Sequence, residues 1–60
     1  MHFTKLILDF KKRRESLNVT QEQLAEIADV GLRTLKQFES GKGNPTLQTL
    51  YTLADALGLQ

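Results

Sequence analysis

Between Thr20 and Glu39 the chain carries two short helical patterns, with only Asp29, Val30 and Gly31 between them. That separation constrains the fold more than any other feature. Helices joined by so short a connection must be packed neighbours, and here they must cross closely. Thr20 is a good N-cap for the first of them, and Gln23 one turn later completes a capping box, T-Q-E-Q. Glu22 suits the positive end of that helix dipole. Leu24, Ala25, Ile27 and Ala28 form its expected buried face. Ala25 falls where the two helices cross, since a larger side chain would push them apart. Asp29 turns the chain, and Val30 plugs the turn into the core. The second pattern, about Leu32 to Glu39, offers Leu35 and Phe38 to the core behind a permissive glycine cap, Gly31.

The flanks are helical as well. Phe3, Leu6, Ile7, Phe10 and Leu17 share a stripe with Arg14, which predicts a helix over about Phe3 to Leu17. Asn18 is the expected left-handed residue of the following connector. After the second pattern, "ESGKGNP" stops the chain: Gly41 and Gly43 supply left-handed geometry and Pro45 cannot continue a helix. A last helix follows Pro45, with Thr46 near its first turn and Gly58 at its end. Leu47, Leu50, Tyr51, Leu53, Ala54 and Leu57 give it a broad apolar face. No segment alternates with period two, so the expectation is a single all-α domain over residues 1–60.

Sixty residues bury only about 60% of the surface that the unfolded chain exposes, which leaves a marginal core. The chain has no cysteine and one histidine, His2, so neither a disulfide nor a thiolate or paired-histidine metal site is available. Helix packing, oligomerisation or both must supply the stability. Asp9, Glu15, Asp29 and Asp55 form no nucleophile–base pattern, and no catalytic residue or cofactor is expected. In "MHFTKLILDFKKRR" the basic run follows the apolar residues, the reverse of a secretory signal. No apolar run reaches the ~20 residues that cross a bilayer. The expectation is a cytoplasmic protein with no membrane partner. The formal net charge is +1, but Lys11, Lys12, Arg13 and Arg14 cluster, and Arg33, Lys36 and Lys42 recur near the second pattern. Such clusters suit either a solvated helix face or a nucleic-acid footprint.

The run "TQEQLAEIADVGLRTLKQFESGKGNPTLQTLYTLADALGL" resembles the helix-turn-helix domain of the Cro- and phage-repressor-like (XRE) regulators. The likeness covers about Leu6 to Leu59, and "FESGK" to "LADALGL" is its most specific part. Within the family, "VGLR" is similar to small antitoxins that pair with kinase-type toxins. The resemblance implies a compact four- to five-helix lambda-repressor-like fold, with the helix-turn-helix at about residues 20–39. It implies double-stranded DNA as partner and a homodimer, at least on DNA, acting as a transcriptional repressor in a bacterium or phage. An antitoxin that also binds a toxin protein, and an interaction module without DNA binding, are the alternatives.

Residue by residue, the resemblance places Leu32, Arg33, Lys36 and Gln37 against base edges. Arg33 would bind guanine O6 and N7, Gln37 would bind adenine N6 and N7, and Leu32 would meet a thymine methyl or pack. Thr20, Gln21, Thr34, Lys42, Gly43 and Asn44 fall on phosphate-contact positions. Arg14 and Glu39 match an ion pair that ties the first helix to the end of the third. Two residues depart from the pattern. Asp29 stands where glycine is usual at the turn, and Gly31 stands where serine or threonine usually caps the third helix.

Overall fold

The computed structural model describes residues 3–59, apart from the side chain of Phe3. Phe3 as a core residue and His2 as a solitary histidine therefore lie outside the described residues. The order is α1 (Phe3–Ser16), α2 (Gln21–Ala28), α3 (Leu32–Glu39) and α4 (Leu47–Ala56), with no strand among the described residues.

One device ends all four helices. At each, a residue in the left-handed region lets its own N–H and the next one turn back onto carbonyls of the last turn. After α1 it is Asn18 at φ 57°, with Asn18 N–H on Glu15 O and Val19 N–H on Arg14 O. After α2 it is Asp29 at φ 55°, with Asp29 on Glu26 O and Val30 on Ala25 O. Gly41 and Gly58 do the same for α3 and α4. These paired bonds satisfy carbonyls that a helix end leaves open. Two of the four positions carry a side chain, and Asp29 is one.

Asp29 keeps the turn that glycine usually makes. An L-residue pays ~1–2 kcal/mol in the left-handed region, less for aspartate, whereas glycine gives up about 0.5–1 kcal/mol of unfolded-chain entropy. Asp29→Gly should therefore raise stability by up to about 1 kcal/mol, read as a thermal midpoint higher by several degrees. An unchanged or lower midpoint would mean that the carboxylate makes up the strain.

The helix starts divide differently. Thr20 Oγ1 accepts from Gln23 N–H at 3.0 Å, and Gln23 Oε1 accepts from Thr20 N–H at 2.9 Å, so the capping box is complete. Thr46 caps α4 through Thr49 N–H. Gly31 caps α3 with no side-chain bond. α3 therefore has the weakest start of these three.

The core takes residues from every helix: Phe10 from α1; Leu24, Ala25 and Ala28 from α2; Leu35 and Phe38 from α3; Leu53 from α4, with Leu57 just beyond it. Phe10 and Phe38 meet edge-on, ring centroids 5.5 Å apart, an arrangement that adds about 0.5–1.5 kcal/mol beyond burial. Val30 and Leu32 pack at the margin of this cluster.

Four apolar residues depart from expectation. Ile27 is 65% exposed. At about 100° per residue it falls outside the arc held by Leu24, Ala25 and Ala28. On α4, Leu53 and Leu57 set the centre of the buried arc, so Leu47 and Tyr51 lie beyond its edge at 82% and 65% exposure. The broad face of that helix is thus a narrower core stripe beside an open apolar pair. Leu17 is also exposed, at the point where α1 has already ended.

Candidate nucleic-acid interface

α3 presents two different faces. Leu35, Phe38 and Glu39 are buried, while Arg33, Thr34, Lys36 and Gln37 are exposed. Arg33, Lys36 and Gln37 are spaced i, i+3, i+4, so they share one outward stripe. Leu32 does not join them fully: it is half-buried against the core, and only part of its side chain is open.

The loop after α3 is folded back onto this stripe. Lys42 N–H donates to Gln37 O at 2.9 Å, and Gly43 takes φ 85°. A Cβ at Gly43 would sit 3.6 Å from Gln37 Cβ, so its backbone lies directly beside that side chain. Thr34, Gln37, Lys42, Gly43 and Asn44 line one shallow depression. Gln37, which the resemblance sets against bases, thus lies beside Thr34, Lys42, Gly43 and Asn44, which it sets against phosphates. Thr20 is exposed at the start of α2 with its hydroxyl oxygen engaged in the cap.

Behind the surface lies a polar cluster. Glu39 is buried and its carboxylate accepts from Arg14 Nε at 2.7 Å and from Arg14 Nη2 at 2.9 Å. Arg14 Nη1 donates to Val19 O at 2.8 Å. The guanidinium therefore ties α1 to α3 and to the connector before α2. Its hydrogen bond to Glu39 raises the Arg14 pKa; burial works the other way, and the Glu39 charge adds to the rise. A raised cationic pKa stabilises the fold at every pH below the ordinary, unfolded arginine value. This contribution is lost only at a pH above that, so it does not vary near neutrality.

Gln21 joins the cluster, which the residue pattern alone did not indicate. Its side chain is half-buried and Nε2 donates to Glu39 Oε1 at 3.0 Å. Arg13 is a second unexpected placement. Its Nε donates to Leu57 O at 2.9 Å, so one cation of the basic run holds down the end of α4. Lys5 pairs with Asp9 at 3.2 Å on the open side of α1, an exposed contact worth about 0.3–0.5 kcal/mol. No group of three or more metal-ligating side chains occurs among the described residues, and no described helix is long and apolar enough to cross a membrane.

The family profile described as Helix-turn-helix matches residues 10–60. The chain belongs to this helix-turn-helix family. Its matching relatives include the cryptic phage CTXphi transcriptional repressor RstR of Vibrio cholerae, 42% identical over 45 residues, covering 75% of this chain and 40% of the relative. The immunity repressor protein of Bacillus phage phi105 is 42% identical over 50 residues, 83% of this chain and 35% of that one. An uncharacterized HTH-type transcriptional regulator of Methanothermobacter thermautotrophicus is 38% identical over 48 residues, 80% of this chain and 70% of its own length. The chain thus spans less than half the length of the two phage repressors. No solved structure matches at a comparable level. In helix-turn-helix terms, α2 and α3 are the two helices and Asp29–Gly31 is the turn.

Proposed function

We propose that this helix-turn-helix domain binds double-stranded DNA in a sequence-specific way and acts as a transcriptional repressor in the cytoplasm. The observation that carries the reading is the exposed stripe Arg33, Lys36 and Gln37 on α3, flanked by the Lys42–Asn44 loop. A helix of this kind fits the major groove, which displays a distinct donor and acceptor pattern for each base pair. Arg33 and Gln37 carry the paired donors and acceptors that read guanine and adenine. Lys36 works at the edge of the same stripe, and the open part of Leu32 meets a thymine methyl. Thr20, Gln21 and Thr34, with Lys42, Gly43 and Asn44, hold the phosphates on either side and fix the register. Two named repressors among the relatives support the regulatory role.

In this reading the domain acts as a homodimer on a palindrome-like operator, with the two α3 helices about 34 Å apart. Leu47 and Tyr51, one turn apart on α4 and open to solvent, are the surface assigned to the second copy, with Leu59 beside the chain end.

The test is fluorescence anisotropy on a selected duplex over a range of salt. Arg33→Ala and Gln37→Ala should each cost about 1–3 kcal/mol and relax preference at one base position. Lys42→Ala should weaken binding to all sequences alike and reduce the salt slope by about one. Gln21→Ala should weaken all sequences with no change in slope, because an amide releases no counterion. If Arg33→Ala changes neither affinity nor preference, the register of α3 in the groove is wrong. If the wild-type protein binds no duplex at low salt, the domain is an interaction module instead.

A further inference from the structure

Glu39 lies at the end of α3, away from the exposed stripe, yet it is bonded to both α1 and α2. Its carboxylate takes two hydrogen bonds from Arg14 of α1 and one from Gln21 of α2. A carboxylate has no hydrogen to donate, so only the amide nitrogen of Gln21 can face it. This removes the two-fold choice that a side-chain amide otherwise has. It also fixes which part of Gln21 remains for other partners: one N–H and the carbonyl oxygen. Arg14 meanwhile neutralises the carboxylate, so no net negative charge stands behind Gln21. Gln21 is the first residue of α2, where the backbone N–H groups of a helix lack internal partners.

We propose that Glu39 is a positioning residue for DNA binding: it holds the Gln21 amide in one orientation, with the second N–H ready for a phosphate. The proposal rests on the DNA-binding reading above. Its physical basis is the cost of immobilising a flexible polar side chain on binding. Here the cost is met in the free protein by a bond at 3.0 Å. The buried ion pair then has two effects, one on stability and one on the contact made through Gln21.

A double-mutant cycle separates the two. Duplex affinity is measured for the wild-type protein, Glu39→Gln, Gln21→Ala and the double variant, at a temperature where circular dichroism shows each folded. Glu39→Gln should weaken binding about fivefold when Gln21 is present and less than about twofold when it is alanine. Equal losses in both backgrounds would overturn the proposal and leave Glu39 as a structural residue. Glu39→Gln leaves Arg14 with a poorer partner, so this variant can fail to fold. The second measurement therefore uses the wild-type protein without DNA. Side-chain 15N relaxation should give Gln21 an order parameter near that of rigid backbone, about 0.85, and exposed Gln48 one below about 0.6. A Gln21 value below about 0.6 would overturn the proposal. Absence of wild-type binding to any duplex would remove the role together with the DNA-binding reading. A rigid Gln21 in that case would show that the failure lies in the reading and not in the Glu39 bond.

Discussion

Arg14→Ala should remove a large share of the domain's stability. The substitution leaves the Glu39 carboxylate buried with only the Gln21 amide to face it. It also removes the donor to Val19 O that anchors the start of α2. Breaking a buried pair in this way costs about 3–5 kcal/mol. A sixty-residue domain has about 3–9 kcal/mol in total, at ~0.05–0.15 kcal/mol per residue. The expected result in a thermal melt followed by circular dichroism is a midpoint lower by roughly 12 °C or more, or no cooperative transition. Replacing Arg14 and Glu39 together by methionine should recover much of that loss, because no charge is then left buried. A single variant that melts within a few degrees of the wild-type protein would mean that water reaches Glu39 freely, contrary to the burial described.

The second large effect is expected at Leu53, which has no exposed surface. Leu53→Ala opens a cavity among helices α1 to α4 and should cost about 2–5 kcal/mol, depending on how far the site collapses. Leu47→Ala on the same helix should stay within about 0.5 kcal/mol, because Leu47 is 82% exposed. The pair of melts tests the orientation of α4 directly. Comparable losses at both positions would mean that α4 is rotated relative to the structure, or that Leu47 is covered in a dimer at the concentration used. Repeating the Leu47 melt at a tenfold lower concentration distinguishes these outcomes.

Much of the fold is legible because it rests on local rules. The Thr20–Gln23 capping box, the left-handed Asn18 and Asp29, and the glycines at 41 and 58 all act within one helical turn of their position. Each therefore leaves a signature in neighbouring residues. The exposure of Ile27, Leu47 and Tyr51 is not legible in the same way, because periodicity marks an apolar stripe but not its width. Width depends on how many neighbours surround a helix, and sixty residues provide too few to cover both flanks of α4. The pairing of Arg14 with Glu39 is not a property of spacing at all, since 25 positions separate them. It is implied by resemblance to the family, as are the roles proposed for the α3 residues. The bond from Gln21 to Glu39 joins residues 18 apart and left no sequence signal. Nor did the bond from Arg13 to Leu57, which withdraws a cation from what reads as a uniform basic run. Polar contacts between distant residues depend on how the helices cross, and that crossing is set by the whole core.

The central claim is that the exposed stripe of α3 reads base edges in the major groove. Selection of binding sites from random double-stranded DNA, performed in parallel with the wild-type protein and with Arg33→Ala, tests it most directly. The wild-type protein should enrich two inverted half-sites about one helical turn apart, each with a guanine whose preference disappears in the variant. Retention of that same preference by Arg33→Ala, or failure of the wild-type protein to enrich any sequence at low salt, would contradict the claim.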